Sequence, residues 1–204
     1  RASGPGNLVL LVGADTGRDG IHGATFASVE DPEKSHRGVV QVGNPFLEKL
    51  LLEACLEALE SGCVVAMQDL GAAGLTSSTA ETAARGGVGI EIDVAKVPRR
   101  EAGMTPYEVM LSESQERMLV AVAPENAARL VEICGAHNVE ATVIGEFTGN
   151  KRFTASYGER PVLDLDMGFL HQGRPRRTLK ARWEPETVRE DGIPPLEDLP
   201  SVLR

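Results

Sequence analysis

The sequence predicts a domain of mixed α and β structure. Continuous apolar runs of strand length alternate along the chain with longer segments of helical periodicity, and Gly, Pro or Asn residues separate them. Apolar residues make up 42% of the 204 residues, which is enough to bury a hydrophobic core. A helical bundle or a β-sandwich would show only one of the two patterns.

The first strand and the first helix have clear boundaries. Leu8–Val12 is a continuous apolar run, which is typical of a buried strand. Residues 45–59 place apolar side chains at three- and four-residue spacing with glutamates between them, which predicts an amphipathic helix. Asn44 is the expected N-cap, Pro45 the first helical residue, and Gly62 lies at the end.

Strands and helices continue to alternate up to residue 157. Residues 64–67 form a predicted strand, and Ser78 with Glu81 three residues later fits a capping box that opens a helix ending at Gly86 and Gly87. Further strands are predicted over residues 88–94, 117–122, 139–147 and 152–157, and helices over residues 104–111 and 124–136. After residue 177 charges and prolines replace this periodicity, which indicates a linker.

Composition narrows the classes of function. The chain carries 21 basic and 30 acidic side chains, a net charge of −9, which argues against sequence-independent binding of nucleic acid. No apolar run approaches the about eighteen residues of a membrane span, so we expect no membrane insertion. The three cysteines lie inside apolar runs without metal-binding spacing, which is typical of buried thiols in a reducing compartment. The chain starts without Met or a leader pattern, so we expect a cytoplasmic segment of a longer protein.

A glycine-rich segment directly follows the first predicted strand. Four glycines fall within residues 13–23. They let backbone N–H groups approach an anion, and Thr16, Arg18 and His22 offer further donors. The spacing matches neither the dinucleotide fingerprint nor the Walker loop. The segment is therefore interpreted either as a phosphate cradle or as a tight structural turn.

A carboxylate ends the next buried strand. Asp69 follows Gln68 and precedes a loop of small residues that leads into a helix N-terminus. Ligands of open α/β sheets gather at this edge, and Asp69 is suited to hold a Mg²⁺ ion that bridges phosphate oxygens. The alternative is that Asp69 only caps backbone amides in the turn.

Two further polar features interrupt apolar surroundings. Residues 112–117 are wholly polar and lie just before a predicted strand. They are either a solvated loop or ligand contacts. Gln41 is an amide within a β-branched run, where an exposed position on an edge strand is the common case.

At these motifs the chain resembles the synthetase component of the phosphoribosylformylglycinamidine synthase family. The resemblance rests on four motifs in order: TGRDGIHGA at 16–24, VQVGNPF at 40–46, QDLGAAGL at 68–75 and MLSESQERM at 110–118. The family usually has Asp at the position of Asn44. The resemblance implies a three-layer sandwich of the aminoimidazole ribonucleotide synthase C-terminal domain type, over residues 37–177. Residues 1–36 would end an N-terminal ATP-handling half, and residues 178–204 would be a linker.

The resemblance also implies roles for individual residues. It assigns binding of formylglycinamide ribonucleotide (FGAR) to Gln41, Glu113, Ser114 and Gln115, and Mg²⁺ to Asp69, with no catalytic residue in this chain. The phosphate-cradle interpretation concerns the following residues of the glycine-rich segment: Thr16, Gly17, Arg18, Asp19, Gly20 and His22.

The activity implied by the resemblance is that of an ATP-dependent ligase of purine biosynthesis. ATP phosphorylates the formyl amide oxygen of FGAR, and ammonia then displaces phosphate to form the amidine. ATP and Mg²⁺ are the expected cofactors, and a glutaminase subunit and a small bridging subunit the expected partners. Two alternatives stay open: a related ATP-dependent enzyme of selenophosphate, thiamine monophosphate or hydrogenase-maturation type, and a docking domain for the glutaminase.

Overall fold

The computed structural model describes residues 2, 4–21, 41–173, 175 and 178–183. Contacts within the chain divide it into two units, residues 1–174 and 175–204. In the described part of the chain, every helix and strand belongs to the first unit.

The described part of the first unit contains seven strands and five α-helices. The strands are β1 (Leu8–Gly13), β2 (Val64–Asp69), β3 (Gly89–Asp93), β4 (Arg117–Val122), β5 (Ala141–Thr148), β6 (Arg152–Tyr157) and β7 (Arg160–Asp166). The helices are α1 (Pro45–Glu60), α2 (Gly74–Gly86), α3 (Pro106–Leu111), α4 (Ala127–Ala136) and α5 (Met167–Gln172). None of these helices has the length and apolar character needed to cross a membrane.

The strands form one mixed sheet in the order β2-β4-β1-β5-β3-β6-β7. Neighbours are antiparallel except β3 and β6, which are parallel. Helices α1 and α4 contribute to a hydrophobic core on one face, and helices α2, α3 and α5 to a core on the other. This is a three-layer arrangement of helices, sheet and helices, and it confirms the expected fold class.

Strand β1 shows how one apolar run serves both cores. Val9 and Leu11 belong to the core that includes α2 and α3, and Leu10 and Val12 belong to the core that includes α1 and α4. Successive side chains of a strand point to opposite faces, so a strand buried on both faces reads as a continuous apolar run. The prediction of a buried strand here is confirmed.

Helix α1 begins as its sequence predicts. The side chain of Asn44 accepts a hydrogen bond from the backbone N–H of Leu47 at 3.2 Å, and Pro45 is the first helical residue. Ser61 caps the other end, and Gly62 follows with φ +72°. Asn44 thus satisfies one of the N–H groups that have no partner within the helix, and the left-handed conformation of Gly62 ends the helix.

Helix α2 begins four residues before the predicted capping box, so that prediction is wrong. Ser78 is buried inside the helix, and its hydroxyl donates to the carbonyl oxygen of Leu75. The hydroxyl of Thr82 likewise donates to Ser78 O at 2.7 Å. Hydroxyls that bond to the preceding turn remain within a helix instead of opening it. The helix ends at Gly87 in the left-handed region, as predicted.

Strand register brings the predicted motifs to one edge of the sheet. Arg117, the first residue of β4, pairs with Gly13 at the end of β1, and the next residue of β4 pairs with Asp69 at the end of β2. The glycine-rich segment after β1, the loop after β2 and the polar run before β4 therefore start from adjacent points.

Candidate functional site

Glu113 joins three of the predicted motifs. This residue is buried and only 6% exposed. Its Oε1 accepts a hydrogen bond from the backbone N–H of Ala73 at 3.0 Å, and its Oε2 accepts one from Gln41 Nε2 at 2.7 Å. Gly20 packs against the same side chain with φ +61°, and a Cβ at Gly20 would lie 2.7 Å from Glu113 Cβ. Glycine is needed there both for its conformation and for its size.

The two serines of the polar run face the glycine-rich segment. Ser112 and Ser114 are 0% and 1% exposed. Ser112 Oγ donates to the carbonyl oxygen of Gly17 at 2.6 Å, and the Gly17 N–H donates to Ser114 Oγ at 2.9 Å. Ser114 Oγ also donates to the Asp19 carboxylate, which forms an ion pair with Arg100. These contacts fix the run against the segment that follows β1.

Arg117 is the last residue of the polar run and the first of β4, and it is 3% exposed. Its Nε donates to the carbonyl oxygen of Ser114 at 2.8 Å and its Nη2 to that of Ser112 at 2.6 Å. Its Nη1 donates to Thr16 Oγ1 at 2.9 Å. Burial lowers the pKa of Arg117 to about 10, and the charge of Asp19 opposes that shift. The guanidinium is therefore protonated at neutral pH.

Several donors of the glycine-rich segment are engaged within the protein. The backbone N–H groups of Thr16, Gly17 and Arg18 donate to a carbonyl oxygen, a serine hydroxyl and Glu101 Oε1 at 2.8–2.9 Å. The Arg18 guanidinium pairs with Glu108 at 2.8 Å and Glu101 at 3.0 Å. The hydrogen bonds that Arg18 donates to Glu108 and then to Glu101 raise the pKa of Arg18, and the bond from Arg18 lowers the pKa of Glu108 to about 2.

These contacts tie part of the segment to the rest of the protein, and the phosphate cradle stays a prediction. A phosphate would have to displace the acceptors that Thr16, Gly17 and Arg18 already have. Asp19 and Gly20 contact the polar run, and His22 lies outside the described residues.

Two amide side chains lie on the solvent side of this assembly. Gln41 and Gln115 are both exposed. Gln115 Nε2 donates to the carbonyl oxygen of Glu113 at 3.0 Å, and Glu116 Oε1 accepts from the backbone N–H of Asn44 at 2.9 Å. Residues 41–44 precede helix α1 without strand structure, so the expected edge-strand position of Gln41 is not seen among them.

Asp69 lies at the exposed end of β2. Its Oδ1 accepts from Gln68 Nε2 at 3.2 Å, and Gln68 Oε1 in turn accepts from Arg85 Nη1 at 2.9 Å. An exposed carboxylate is a hard oxygen donor of the type that Mg²⁺ prefers. Over the described residues, no group of three or more His, Cys, Asp or Glu side chains is arranged to hold a metal. Asp69 is one carboxylate of this type at the end of β2.

Two residues of this assembly lie in predicted motifs but were given no role of their own. Arg117 opens an otherwise apolar strand, and in the structure it is buried with three hydrogen bonds. A lone Arg at the start of an apolar run is the signal that would have identified it. Ala73 gives no such signal, because its N–H bonds to a side chain 40 residues away.

Known proteins resemble the chain over most of its length. The PurL subunit of phosphoribosylformylglycinamidine synthase from Thermomicrobium roseum is 63% identical, covering 97% of this chain and 28% of that protein. The structure "T. maritima PurL complexed with FGAR" is 38% identical with a TM-score of 0.84, covering 91% of this chain and 31% of that one. "T. maritima PurL complexed with ATP" is 35% identical with a TM-score of 0.77, covering 93% and 29%. The chain thus spans less than a third of these relatives.

A family model adds to these pairwise similarities. The family described as AIR synthase related protein, C-terminal domain, matches residues 4–158. This agrees with the resemblance seen in the four motifs. Because the match covers more than half of the chain, the chain belongs to the family of AIR synthase related proteins, through its C-terminal domain.

Proposed function

We propose that the chain is the substrate-binding and Mg²⁺-binding part of a longer ATP-dependent synthetase. That enzyme converts FGAR, ATP and glutamine-derived ammonia to formylglycinamidine ribonucleotide in purine biosynthesis. The observation that carries the proposal is the meeting of the motifs around Glu113: Gln41, the loop after β2 and the polar run share its carboxylate or its backbone. Two structures of T. maritima PurL, described as complexed with FGAR and with ATP, support it.

The contacts divide the proposed substrate-binding residues into two kinds. Gln115 and Gln41 present exposed amides, which donate to and accept from the hydroxyl, amide and phosphate groups of a ribonucleotide. Glu113 and Ser114 are buried, and their side-chain oxygens already have partners within the protein. Their contribution to binding is to hold the backbone of the run and the amides beside it.

Asp69 is the residue of this chain that would hold the proposed Mg²⁺ ion, and phosphate groups of the ligands would supply further oxygen atoms. Mg²⁺ prefers octahedral oxygen coordination and usually keeps several waters and substrate phosphates. When bound with ATP it offsets charge on the phosphoryl group that is transferred. This chain supplies the Asp69 carboxylate, which accepts a hydrogen bond from Gln68 Nε2 at 3.2 Å.

The remaining parts of the proposal concern the longer protein. Catalytic and ATP-contacting groups would lie outside this chain, so the chain alone is expected to bind FGAR without turnover. Residues 37–177 would form the substrate and metal domain, with residues 1–36 ending an ATP-handling half and residues 178–204 serving as a linker. A glutaminase subunit and a small bridging subunit would deliver ammonia in the cytoplasm.

Calorimetric titration of FGAR into the folded chain tests the proposal. We expect binding with Mg²⁺ present, and Gln115→Ala should weaken it about tenfold, the effect of about 1.4 kcal/mol from a lost hydrogen bond. Gln172→Ala is the matched control, because Gln172 is also exposed but lies on α5. Equal affinities of the two variants would contradict the role of Gln115.

Mg²⁺ dependence tests the role of Asp69 separately. Asp69→Asn keeps the shape of the side chain and removes its charge, so the gain in FGAR affinity on adding Mg²⁺ should disappear. Glu159→Gln removes one exposed charge in the β6–β7 hairpin, at the opposite end of the sheet order, and should leave that gain intact. If a folded chain binds no FGAR under either condition, the half-site proposed for this chain is wrong.

A further inference from the structure

A single buried side chain supports the polar run over most of its length. Arg117 donates to the carbonyl oxygens of Ser112 and Ser114, two residues apart, and to the hydroxyl of Thr16. The first carbonyl belongs to the peptide unit that precedes Glu113, and the second to the peptide unit that precedes Gln115. The guanidinium therefore fixes the backbone from which Glu113 and Gln115 extend, and joins it to the glycine-rich segment.

The chemistry of these bonds requires a planar fork of donors. Nε, Nη1 and Nη2 each bond to a different residue, at 2.8, 2.9 and 2.6 Å. Arginine holds its five N–H donors in a rigid plane, whereas the three donors of lysine radiate from one atom. A lysine at this position would keep the charge but would not reach all three acceptors in this arrangement.

Neighbouring contacts make the run depend on this side chain. The hydroxyls of Ser112 and Ser114 donate to Gly17 and Asp19. The carbonyl oxygens of the two serines accept from Arg117. A carbonyl group that is buried and loses its donor is strongly disfavoured. Removing the guanidinium would therefore free the run to move toward other donors.

We propose that Arg117 is a positioning residue that sets the geometry of the substrate-binding run without touching substrate. This inference rests on the proposed function, because it assigns the run to FGAR binding. A positioning role also differs from a purely structural one in its effect. Loss of the Arg117 side chain should weaken binding of the ribonucleotide and leave binding of ATP unchanged.

Steady-state kinetics of Arg117→Lys in the full-length synthetase test this inference. We expect KM for FGAR to rise about tenfold or more, while kcat and KM for ATP stay within about threefold of the wild-type values. This pattern means that binding is lost equally in the ground state and in the transition state. Arg152→Lys is the matched control, because Arg152 pairs with Asp164 between β6 and β7, away from the run. A fall in kcat with unchanged KM for FGAR would indicate a merely structural role and would overturn the proposal.

Hydrogen exchange of the substrate-free chain gives a readout that does not depend on turnover. The amide of Glu113 donates to Asp19 O at 2.8 Å, so its exchange reports the position of the run. We expect Arg117→Lys to speed exchange at residues 113–116 about tenfold relative to strand β1, since the run opens locally. Unchanged exchange would overturn the positioning role even if the wild-type enzyme uses FGAR. Faster exchange with no use of FGAR by the wild type would instead reject the proposed function.

A milder variant covers the case in which Arg117→Lys does not fold. Thr16→Val removes only the acceptor of Nη1 and keeps the shape of the side chain. KM for FGAR and exchange at residues 113–116 should both shift in the same direction, by a smaller factor. If neither shifts, the positioning role of Arg117 through the glycine-rich segment is wrong.

Discussion

Replacing Gly74 by alanine should disturb the candidate site, because the added methyl group would overlap with the backbone of Ser112. Gly74 begins helix α2 with φ +51°, and a Cβ there would lie 2.9 Å from the carbonyl carbon of Ser112 and closer still to its oxygen. That oxygen accepts from Arg117 Nη2 at 2.6 Å. The added methyl group must therefore move either the helix start or the polar run.

The size of the effect follows from two separate terms. An L-residue in the left-handed region costs about 1–2 kcal/mol, and forcing an extra methyl group into a packed site costs about 1–3 kcal/mol more. Gly87 supplies the matched control, because it has φ +70° at the end of the same helix and a Cβ added there would meet no atom within 4 Å. We expect a loss of about 1–2 kcal/mol for Gly87→Ala and about 2–5 kcal/mol for Gly74→Ala.

Urea unfolding of the chain followed by far-ultraviolet circular dichroism measures both losses. Gly74→Ala should also weaken the proposed FGAR binding, whereas Gly87→Ala should not. Combined with Arg117→Lys, Gly74→Ala should cost less than the sum of the single changes, because both act on the Ser112 carbonyl. Equal losses of stability in the two glycine variants would refute the steric argument.

Three further predictions concern stability and reactivity. Burial raises the pKa of Cys55 and Cys134 to about 11, so a thiol reagent at pH 8 should modify them far more slowly in the folded chain than in urea; equal rates would contradict this. Hydrogen bonds from Arg18 and the cap of α3 lower the pKa of Glu108 to about 2, so its stabilising effect is present above the ordinary pKa and is lost as pH falls toward 2. The difference in urea midpoint between wild type and Glu108→Gln should shrink over that range and stay constant above it. Phe147 is 0% exposed, so Phe147→Ala should lower the free energy of unfolding by about 3–5 kcal/mol in the same urea assay. A loss under about 1 kcal/mol would be inconsistent with the burial of Phe147.

Elements with local signals were predictable from the sequence. The apolar run of β1 and the cap of α1 depend on residues that are close in sequence. The start of α2 could not be predicted in this way. Its N-cap residue, Ala73, has no side chain that could cap the helix, and the Ala73 N–H donates to Glu113. No strand or helix was predicted after residue 157, where β7 and α5 complete the unit. Strand β7 is largely exposed, so it lacks the apolar run that marks a buried strand.

The site was predictable as a set of motifs but not as an arrangement. Residue type singled out Asp69, the polar run and Gln41, and the resemblance assigned Gln41 and three residues of the run to substrate binding. Which side chain of the run faces the protein depended on contacts 72 to 97 residues apart, such as Glu113 with Gln41 and Ser114 with Gly17. Such pairings follow from strand register, and register depends on the whole sheet.

The division of the run into buried and exposed residues has a consequence for metal binding. The run has two carboxylates. Glu113 accepts hydrogen bonds from Ala73 and Gln41, so it is not open to a cation without breaking the link between the motifs. Glu116 accepts one from the backbone N–H of Asn44. Asp69 is left as the exposed carboxylate next to that link, and one carboxylate supplies only part of the octahedral oxygen shell around Mg²⁺. On the proposed function, the metal should therefore bind firmly only together with a phosphate-bearing ligand. Titration of Mg²⁺ alone should give weak binding, and the same titration with ATP and FGAR present should give binding that Asp69→Asn reduces.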